Sequence, residues 1–282
     1  MTGFESIALL KGGKRLPPPF FSLFKDIFSL LINPVPLKTP IIRMPAYMKR
    51  PHKPESSSSG SGLGLSESES RTQAFYDWWI GGTGLLSRLG RTVFSLSGTV
   101  YANRFIQAAA LRPEDRVMEV GSGLGKILTA SQHRVSGEEL YVGIDLSYQM
   151  VRRARRDQEG HCPRLHFLVA SGLQMPFHPQ CFDVVLLSHV VKYLTDPQLR
   201  TVLAQVRELL RPGGRIILWE FRPYAWEPIN RTILRGSHSH KLRRADELVA
   251  FLEEQGYRNL RPFTIHTPWP PFRNLAYKGT LR

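Results

Sequence analysis

From residue 116 onward, short unbroken apolar runs alternate with stretches of helical spacing. Val184-Val185-Leu186-Leu187 shows no alternation of polar and apolar positions, as expected of a strand covered on both faces in a parallel sheet. The pattern predicts strands over 116–120, 140–145, 165–169, 184–188 and 215–220, separated by helices over 126–132, 149–158 and 198–210. A further helix over 245–255 and an antiparallel pair over 257–266 and 272–281 follow, with Pro268-Trp269-Pro270-Pro271 as a loop near the site. Upstream, 72–80 reads as a helix carrying Phe75, Tyr76, Trp78 and Trp79, and 103–110 as another ending before Pro113. Alternation of this kind specifies a doubly wound α/β fold, with the globular domain over 71–282.

Residues 1–70 differ in kind. Pro17-Pro18-Pro19, six further prolines between Pro34 and Pro54, and the run Ser56-Ser57-Ser58-Ser59-Gly60-Ser61-Gly62 describe a disordered tail and flexible linker. Within it, 20–33 has helical periodicity: Ser22, Lys25, Asp26, Ser29 and Asn33 fall on one face, and phenylalanines, leucines and isoleucines cover the rest. Such a wide apolar face either docks on the folded domain or lies in a membrane interface, where the flanking bases favour an anionic leaflet. A targeting role for this basic, acid-poor region is also open, although Glu5 and the prolines fit it poorly.

Charge changes the picture less than its size suggests. A net charge of +15 invites a nucleic-acid reading, yet no aromatic-interleaved basic block appears. The densest cluster, Arg152, Arg153, Arg155 and Arg156, reads as the solvated face of a helix. Cys162 and Cys181 are too few for a disulfide framework, no metal-ligand spacing is present, and no apolar run is long enough to span a bilayer. The expectation is a cytoplasmic protein with peripheral membrane contact through 20–33, organelle targeting left open and nucleic acid disfavoured.

The chemistry begins at Val117-Met118-Glu119-Val120-Gly121-Ser122-Gly123-Leu124-Gly125-Lys126. This is a strand carrying one acid and running into a glycine turn that opens a helix, a form suited to close approach of a nucleotide-type ligand. A dinucleotide site requires a third glycine where Lys126 stands. The second strand ends in Asp145, an acid placed to accept from vicinal ribose hydroxyls or to cap the following helix.

The ordered set resembles the class I S-adenosylmethionine (SAM) dependent methyltransferases. Besides the glycine turn and Gly143-Ile144-Asp145-Leu146-Ser147, the segments 167–177, 182–189 and 210–218 are similar to that family's later motifs. In the last of these, Pro212 stops a helix and Gly213-Gly214 supply left-handed conformations. The resemblance implies a Rossmann-like, mostly parallel seven-stranded sheet with an antiparallel C-terminal pair, and S-adenosyl-L-methionine as cofactor. It implies that Gly121, Gly123 and Gly125 let the backbone approach the methionyl part, that Glu119 orients its ammonium, that Asp145 holds the ribose and that Leu146 packs the adenine. Ser122, Gly172 and Ser188 complete the implied cofactor contacts. One departure stands out: Ser171 occupies the place where the family usually has an acid accepting from the adenine amino group, and a serine oxygen accepts that bond more weakly.

Methyl transfer requires alignment, exclusion of water and removal of a proton. The candidate bases are His189, at the end of the fourth strand, then Tyr193 and Glu220; His189 has packing as its alternative role. The end Leu218-Trp219-Glu220-Phe221 resembles the Leu-Glu-Phe of quinone and sterol C-methyltransferases. Phe75, Tyr76, Trp78, Trp79, Tyr224 and Trp226 either wall an apolar acceptor pocket or form a structural core. The preferred acceptor is a small, apolar or lipid-like molecule. RNA or protein methylation is the alternative enzymatic reading, weakened by Ser188-His189-Val190-Val191 after the fourth strand, and a degenerate binding partner without turnover is the non-enzymatic one.

Overall fold

The computed structural model describes residues 65–81, 98–134, 139–158, 164–236, 239–265 and 274–281. The 20–33 helix, Cys162 and the Pro268–Pro271 loop lie outside the described residues.

Helix α1 spans Glu67–Gly81 and a second helix, α2, occupies 98–109. The alternating core follows as β1 (Val117–Val120), α3 (Lys126–Arg134), β2 (Tyr141–Asp145), α4 (Tyr148–Gln158), β3 (Leu165–Val169), β4 (Phe182–Ser188), a 3-10 turn (Val191–Tyr193), α5 (Asp196–Leu209) and β5 (Leu210–Phe221). Helices α6 (Glu227–Gly236) and α7 (Ala245–Glu254) precede β6 (Tyr257–Pro262) and β7 (Asn274–Leu281). The seven strands lie in the order β3-β2-β1-β4-β5-β7-β6. Every pair from β3 to β5 is parallel, whereas β7 runs antiparallel to both β5 and β6.

Strand residues divide between two cores, one on each face, because successive side chains point oppositely. Met118, Val120, Val185, Leu187, Ile216 and Leu218 enter one cluster. Val117, Val184, Leu186, Ile217 and Trp219 enter the other. This explains the unalternating strand sequences: both phases of the period are buried. Helix α5 shows the complementary logic, with Leu199, Val202, Leu203, Val206 and Leu209 buried along one stripe. Its start is fixed by a capping box between Thr195 and Gln198, with a proline in the first turn where its missing N–H costs nothing.

Besides strand ends that shift by a few residues, one boundary and two local details differ from the sequence expectation. Helix α1 begins at Glu67, so the tail boundary drawn at residue 70 falls inside its first turn. The polar Ser-Glu repeat there reads as linker, but Ser66 Oγ accepts from Glu69 N at 3.4 Å while Glu69 Oε2 accepts from Ser66 N at 3.0 Å, which makes a capping box. At Gly213-Gly214, which fall inside the start of β5, only Gly213 takes positive φ, at 76°. Gly214 is required for a different reason, since a Cβ there would sit 2.8 Å from the Arg211 carbonyl oxygen. In α4, Arg152, Arg153 and Arg156 are exposed as expected, but Arg155 Nε reaches the Phe167 carbonyl of β3 at 2.7 Å.

Candidate active site

The carboxyl ends of the parallel strands form one edge, and the predicted residues are arranged along it. At the β1 end, Gly121 N and Ser122 N both donate to the Ile144 carbonyl, at 2.8 and 2.9 Å, which ties the turn to β2. Gly121, Gly123 and Gly125 have φ of 71°, 52° and 69°, the left-handed region that favours glycine. Their surroundings separate them. A Cβ on Gly125 would lie 2.3 Å from Phe167 Cζ and one on Gly121 2.9 Å from Val190 Cγ2, so these two serve internal packing. A Cβ on Gly123 would meet nothing within 4 Å, so this is the open face of the cradle.

Two acids flank that opening. Asp145 Oδ2 accepts from Gly123 N at 2.8 Å and Oδ1 from Ser147 N at 2.9 Å, leaving each oxygen a further acceptor lobe. Burial pushes its pKa up to about 6, against the pull of the Ser147 and Gly123 N–H groups, and Asp77 adds to the rise. Glu119 is 2% exposed and its Oε2 has no hydrogen-bond partner among the described residues. Burial first, then the Asp145 charge, hold its pKa well above the usual carboxylate range. A buried acceptor without a donor is costly unless a ligand completes it. A cationic ligand running from β1 to β2 would supply what both acids lack, so the residues fit the ammonium and ribose of SAM.

The remaining cofactor candidates divide. Ser122 packs its side chain inward, so that a Cβ on Gly143 would fall 2.7 Å from Ser122 Oγ. Leu146 is half-buried beside Asp145, and its carbonyl accepts from Gln73 Nε2 of α1 at 2.9 Å. Gly172 follows the end of β3, its Cα facing Val120 closely enough that a Cβ would approach Cγ1 to 3.0 Å. Ser188 ends β4 beside Trp219 of β5. Ser171 is buried, accepts from Leu173 N at 2.9 Å and donates to Glu69 Oε1. Helix α1 therefore lies over this edge, with Glu69 at β3, Gln73 and Asp77 at the β2 end, and the Tyr76 hydroxyl bonded to that of Tyr193.

At the β4 and β5 ends, the three candidate bases come together but differ in chemistry. His189 has φ 55°, uncommon for a residue with a side chain, and its ring lies 4.3 Å from Trp219 and 4.4 Å from Phe221. Its Nδ1 is 3.4 Å from Glu220 Oε1. Burial lowers the His189 pKa, partly offset by Glu220, so the ring is neutral near pH 7. With Nδ1–H donated to Glu220, Nε2 is the nitrogen that can take up a proton.

Glu220 and Tyr193 do not fill the role of base. Burial would raise the Glu220 pKa, but Lys192, His189 and the Phe221 N–H together hold it at about 2, so it binds protons too weakly. Tyr193 is the opposite case: burial and the neighbouring Tyr76 push its pKa well above the usual phenol value, so it stays protonated. Lys192 is absent from the sequence-derived site and belongs in it. It is 4% exposed, its Nζ lies 3.4 Å from Glu220 Oε1, and its N–H donates to Glu220 Oε2 at 3.0 Å. Burial lowers its pKa while Glu220 raises it.

Of the proposed aromatic wall, Phe75 and Tyr76 meet edge to face, and Tyr76 meets Tyr193, a residue outside that set, in the same way; the side chains of Trp78 and Trp79 lie outside the described residues. Trp226 is 50% exposed and does not enclose the site. The aromatics around His189 are instead Trp219 and Phe221, with Phe105 stacked 5.3 Å behind Trp219.

Comparison with known proteins agrees with this geometry. The family described as a methyltransferase domain matches residues 117–214. The chain is 30% identical over 158 residues to the ubiquinone/menaquinone biosynthesis C-methyltransferase UbiE of Vibrio parahaemolyticus, covering 55% of this chain and 59% of that protein. It is 28% identical over 123 residues to the demethylmenaquinone methyltransferase of Thermus thermophilus, covering 44% of this chain and 54% of that one. The chain thus spans a little over half the length of the curated relatives it matches. Among solved structures, a methyltransferase of calicheamicin biosynthesis in its SAH-bound form superposes with a TM-score of 0.59 at 17% identity, covering 73% of this chain and 60% of that one. Human N-acetylserotonin methyltransferase in complex with SAM gives 0.55 at 15% identity, covering 76% and 56%. At that identity these two establish the fold.

Proposed function

We propose that this chain, a member of the class I SAM-dependent methyltransferases by family and fold, binds SAM along the β1–β3 edge and methylates a small, apolar, quinone-like acceptor held at the β4–β5 ends. The observation that carries the cofactor half is the open Gly123 between the half-buried Asp145 and the buried Glu119, which has an oxygen without a hydrogen-bond partner among the described residues. When bound, SAM supplies a methyl group on a sulfonium, open to in-line displacement.

The residues of the chain do the rest. Glu119 and Asp145 offer acceptors to the ammonium and the ribose, and Leu146 covers the base. His189 Nε2 accepts the proton that the acceptor loses, while Glu220 orients the ring through Nδ1 and, with Lys192, fixes its tautomer and position. Trp219 and Phe221 exclude water from the imidazole faces. The apolar acceptor is supported by these aromatics and by the quinone C-methylation in the relatives' names. Access to a membrane-borne acceptor through 20–33 is part of the same reading. The non-enzymatic alternative drew on Ser171, and Glu69 bonded to that serine weakens it.

Titration calorimetry with SAM tests the cofactor half, and heat below detection at millimolar SAM would end it. For the acceptor half, the chain is incubated with methyl-labelled SAM and separated lipid, metabolite and RNA extracts. Label is expected in the apolar fraction; label in RNA alone would transfer the reading to nucleic-acid methylation. Co-sedimentation of full-length protein with anionic vesicles should fall on Phe24→Glu and Phe28→Glu substitution, and unchanged pelleting would remove the membrane element.

A further inference from the structure

We propose that Glu69 of α1 recognises the adenine amino group, delivering from the N-terminal helix the carboxylate that the β3 end lacks; the proposal rests on the reading of this edge as a SAM site.

The sheet order sets where each part of the ligand falls. A molecule whose ammonium meets Glu119 at β1 and whose ribose meets Asp145 at β2 continues to β3, the next strand outward. There the chain presents Ser171, whose single hydroxyl proton is already committed to Glu69 Oε1 and which already accepts from Leu173 N. A serine so engaged is a weak acceptor. Glu69 is a stronger one: the residue is 7% exposed and its two carboxylate oxygens have separate duties. Oε2 takes both Ser66 N, at 3.0 Å, and Ser66 Oγ, at 2.8 Å, and so maintains the helix cap. Oε1 takes the Ser171 hydroxyl and keeps an acceptor lobe for a second donor.

The placement of Glu69 is set by three further contacts of the same helix. One turn on, Gln73 Nε2 holds the Leu146 carbonyl, and two turns on, Asp77 receives Ser147 Oγ and Gln149 N. The spacing 69, 73, 77 lines these groups on one helical face, so α1 is registered against the β2 end and Glu69 necessarily sits beyond it, toward β3. An exocyclic amine at that place would find a charged acceptor, and a ring carbonyl there would be repelled.

Calorimetry of the full chain with S-adenosylhomocysteine and with S-inosylhomocysteine, in which a carbonyl replaces the amino group, tests this directly. The wild type should prefer the adenine ligand by about tenfold or more. Glu69→Gln should weaken S-adenosylhomocysteine by about tenfold and leave S-inosylhomocysteine within about threefold, abolishing the preference. Its melting temperature should be nearly unchanged, because the amide oxygen preserves the helix cap. The double variant Glu69→Ala, Ser171→Asp should recover adenine affinity relative to Glu69→Ala alone. A wild-type preference retained in Glu69→Gln, or no recovery in the double variant, overturns the proposal while leaving the cofactor reading intact. Failure of the wild type to bind either nucleoside overturns both.

Discussion

The two ends of the strand edge are built from different materials. The β1–β2 end is mostly backbone, a glycine turn tied to Ile144 with two acids facing an opening. The β4–β5 end is a side-chain assembly, with a buried lysine, a carboxylate held ionised and an imidazole between aromatic rings. Their electrostatics are opposite. Glu119 and Asp145 are pushed toward protonation and have acceptors to offer, whereas Glu220 is stabilised as an anion by neighbours already in place. One end keeps an acceptor oxygen with no partner among the described residues; at the other the buried lysine, carboxylate and imidazole are already paired with one another. This division matches a cofactor common to a family and an acceptor that varies among its members.

The contrast can be broken most severely at Lys192. Removing its ammonium by Lys192→Met leaves Glu220, 1% exposed, without its lysine partner, and should cost about 3–5 kcal/mol of unfolding free energy by urea titration. A loss below about 1 kcal/mol would mean the acceptor end does not depend on that pair. Next in size, His189→Ala should lower turnover about 100-fold or more while S-adenosylhomocysteine affinity stays within about twofold. Equal loss of both would place His189 in the cofactor end instead.

At the cofactor end the glycines should respond in opposite order to two measurements. Gly125→Ala drives a methyl into Phe167 at positive φ and should cost about 2–3 kcal/mol of stability, against about 1 kcal/mol for Gly123→Ala, which meets only open space. For cofactor affinity the ranking relative to stability should reverse, since only Gly123 faces the opening. The smallest effect is on pH. Asp145 must be ionised to accept from both ribose hydroxyls, so affinity should weaken below about pH 6, approaching tenfold per unit, and Asp145→Asn should flatten the profile. The same raised pKa acts on folding with the other sign. Ionising Asp145 costs the folded state, so its contribution to stability falls as pH rises from 3.8 through about 6. Glu220, with its depressed pKa, loses its contribution only as pH falls from 4.5 toward about 2, a separate window.

What the sequence made legible follows from what each end is made of. Strands buried on both faces announce themselves as apolar runs, so the strands could be placed to within a few residues at their ends, and a glycine turn requires glycine, so the turn after β1 could be placed residue by residue. Lys192 could not be, because a lone lysine between Val191 and Tyr193 carries no local sign of burial, and the carboxylate it pairs with, Glu220, stands 28 positions away. Glu69 was hidden for another reason: it stands in a Ser-Glu repeat whose composition reads as linker. The signal that could have found it was local, the Ser-x-x-Glu spacing of a capping box from Ser66. The roles of Tyr193 and Glu220 needed the geometry too, since whether a group is a base depends on neighbours that adjacency in sequence does not give.

The position of β7 has a consequence for the order in which the two ends come into being. In space β7 lies between β5 and β6, although in the chain it follows both. On a ribosome, β1, β2 and β3 emerge together, and the glycine cradle can close while most of the β4–β5 side is still unmade. When β5 then appears, its outer edge has no neighbour, and β6 cannot take the place because it joins the sheet only through β7. The strand that carries Trp219 and Glu220 therefore presents unpaired backbone until 274–281 slides in, an interval in which a chaperone or another nascent chain could claim that edge. The half of the molecule proposed to hold the cofactor is the first to be shaped, and the half proposed to take the acceptor is sealed last.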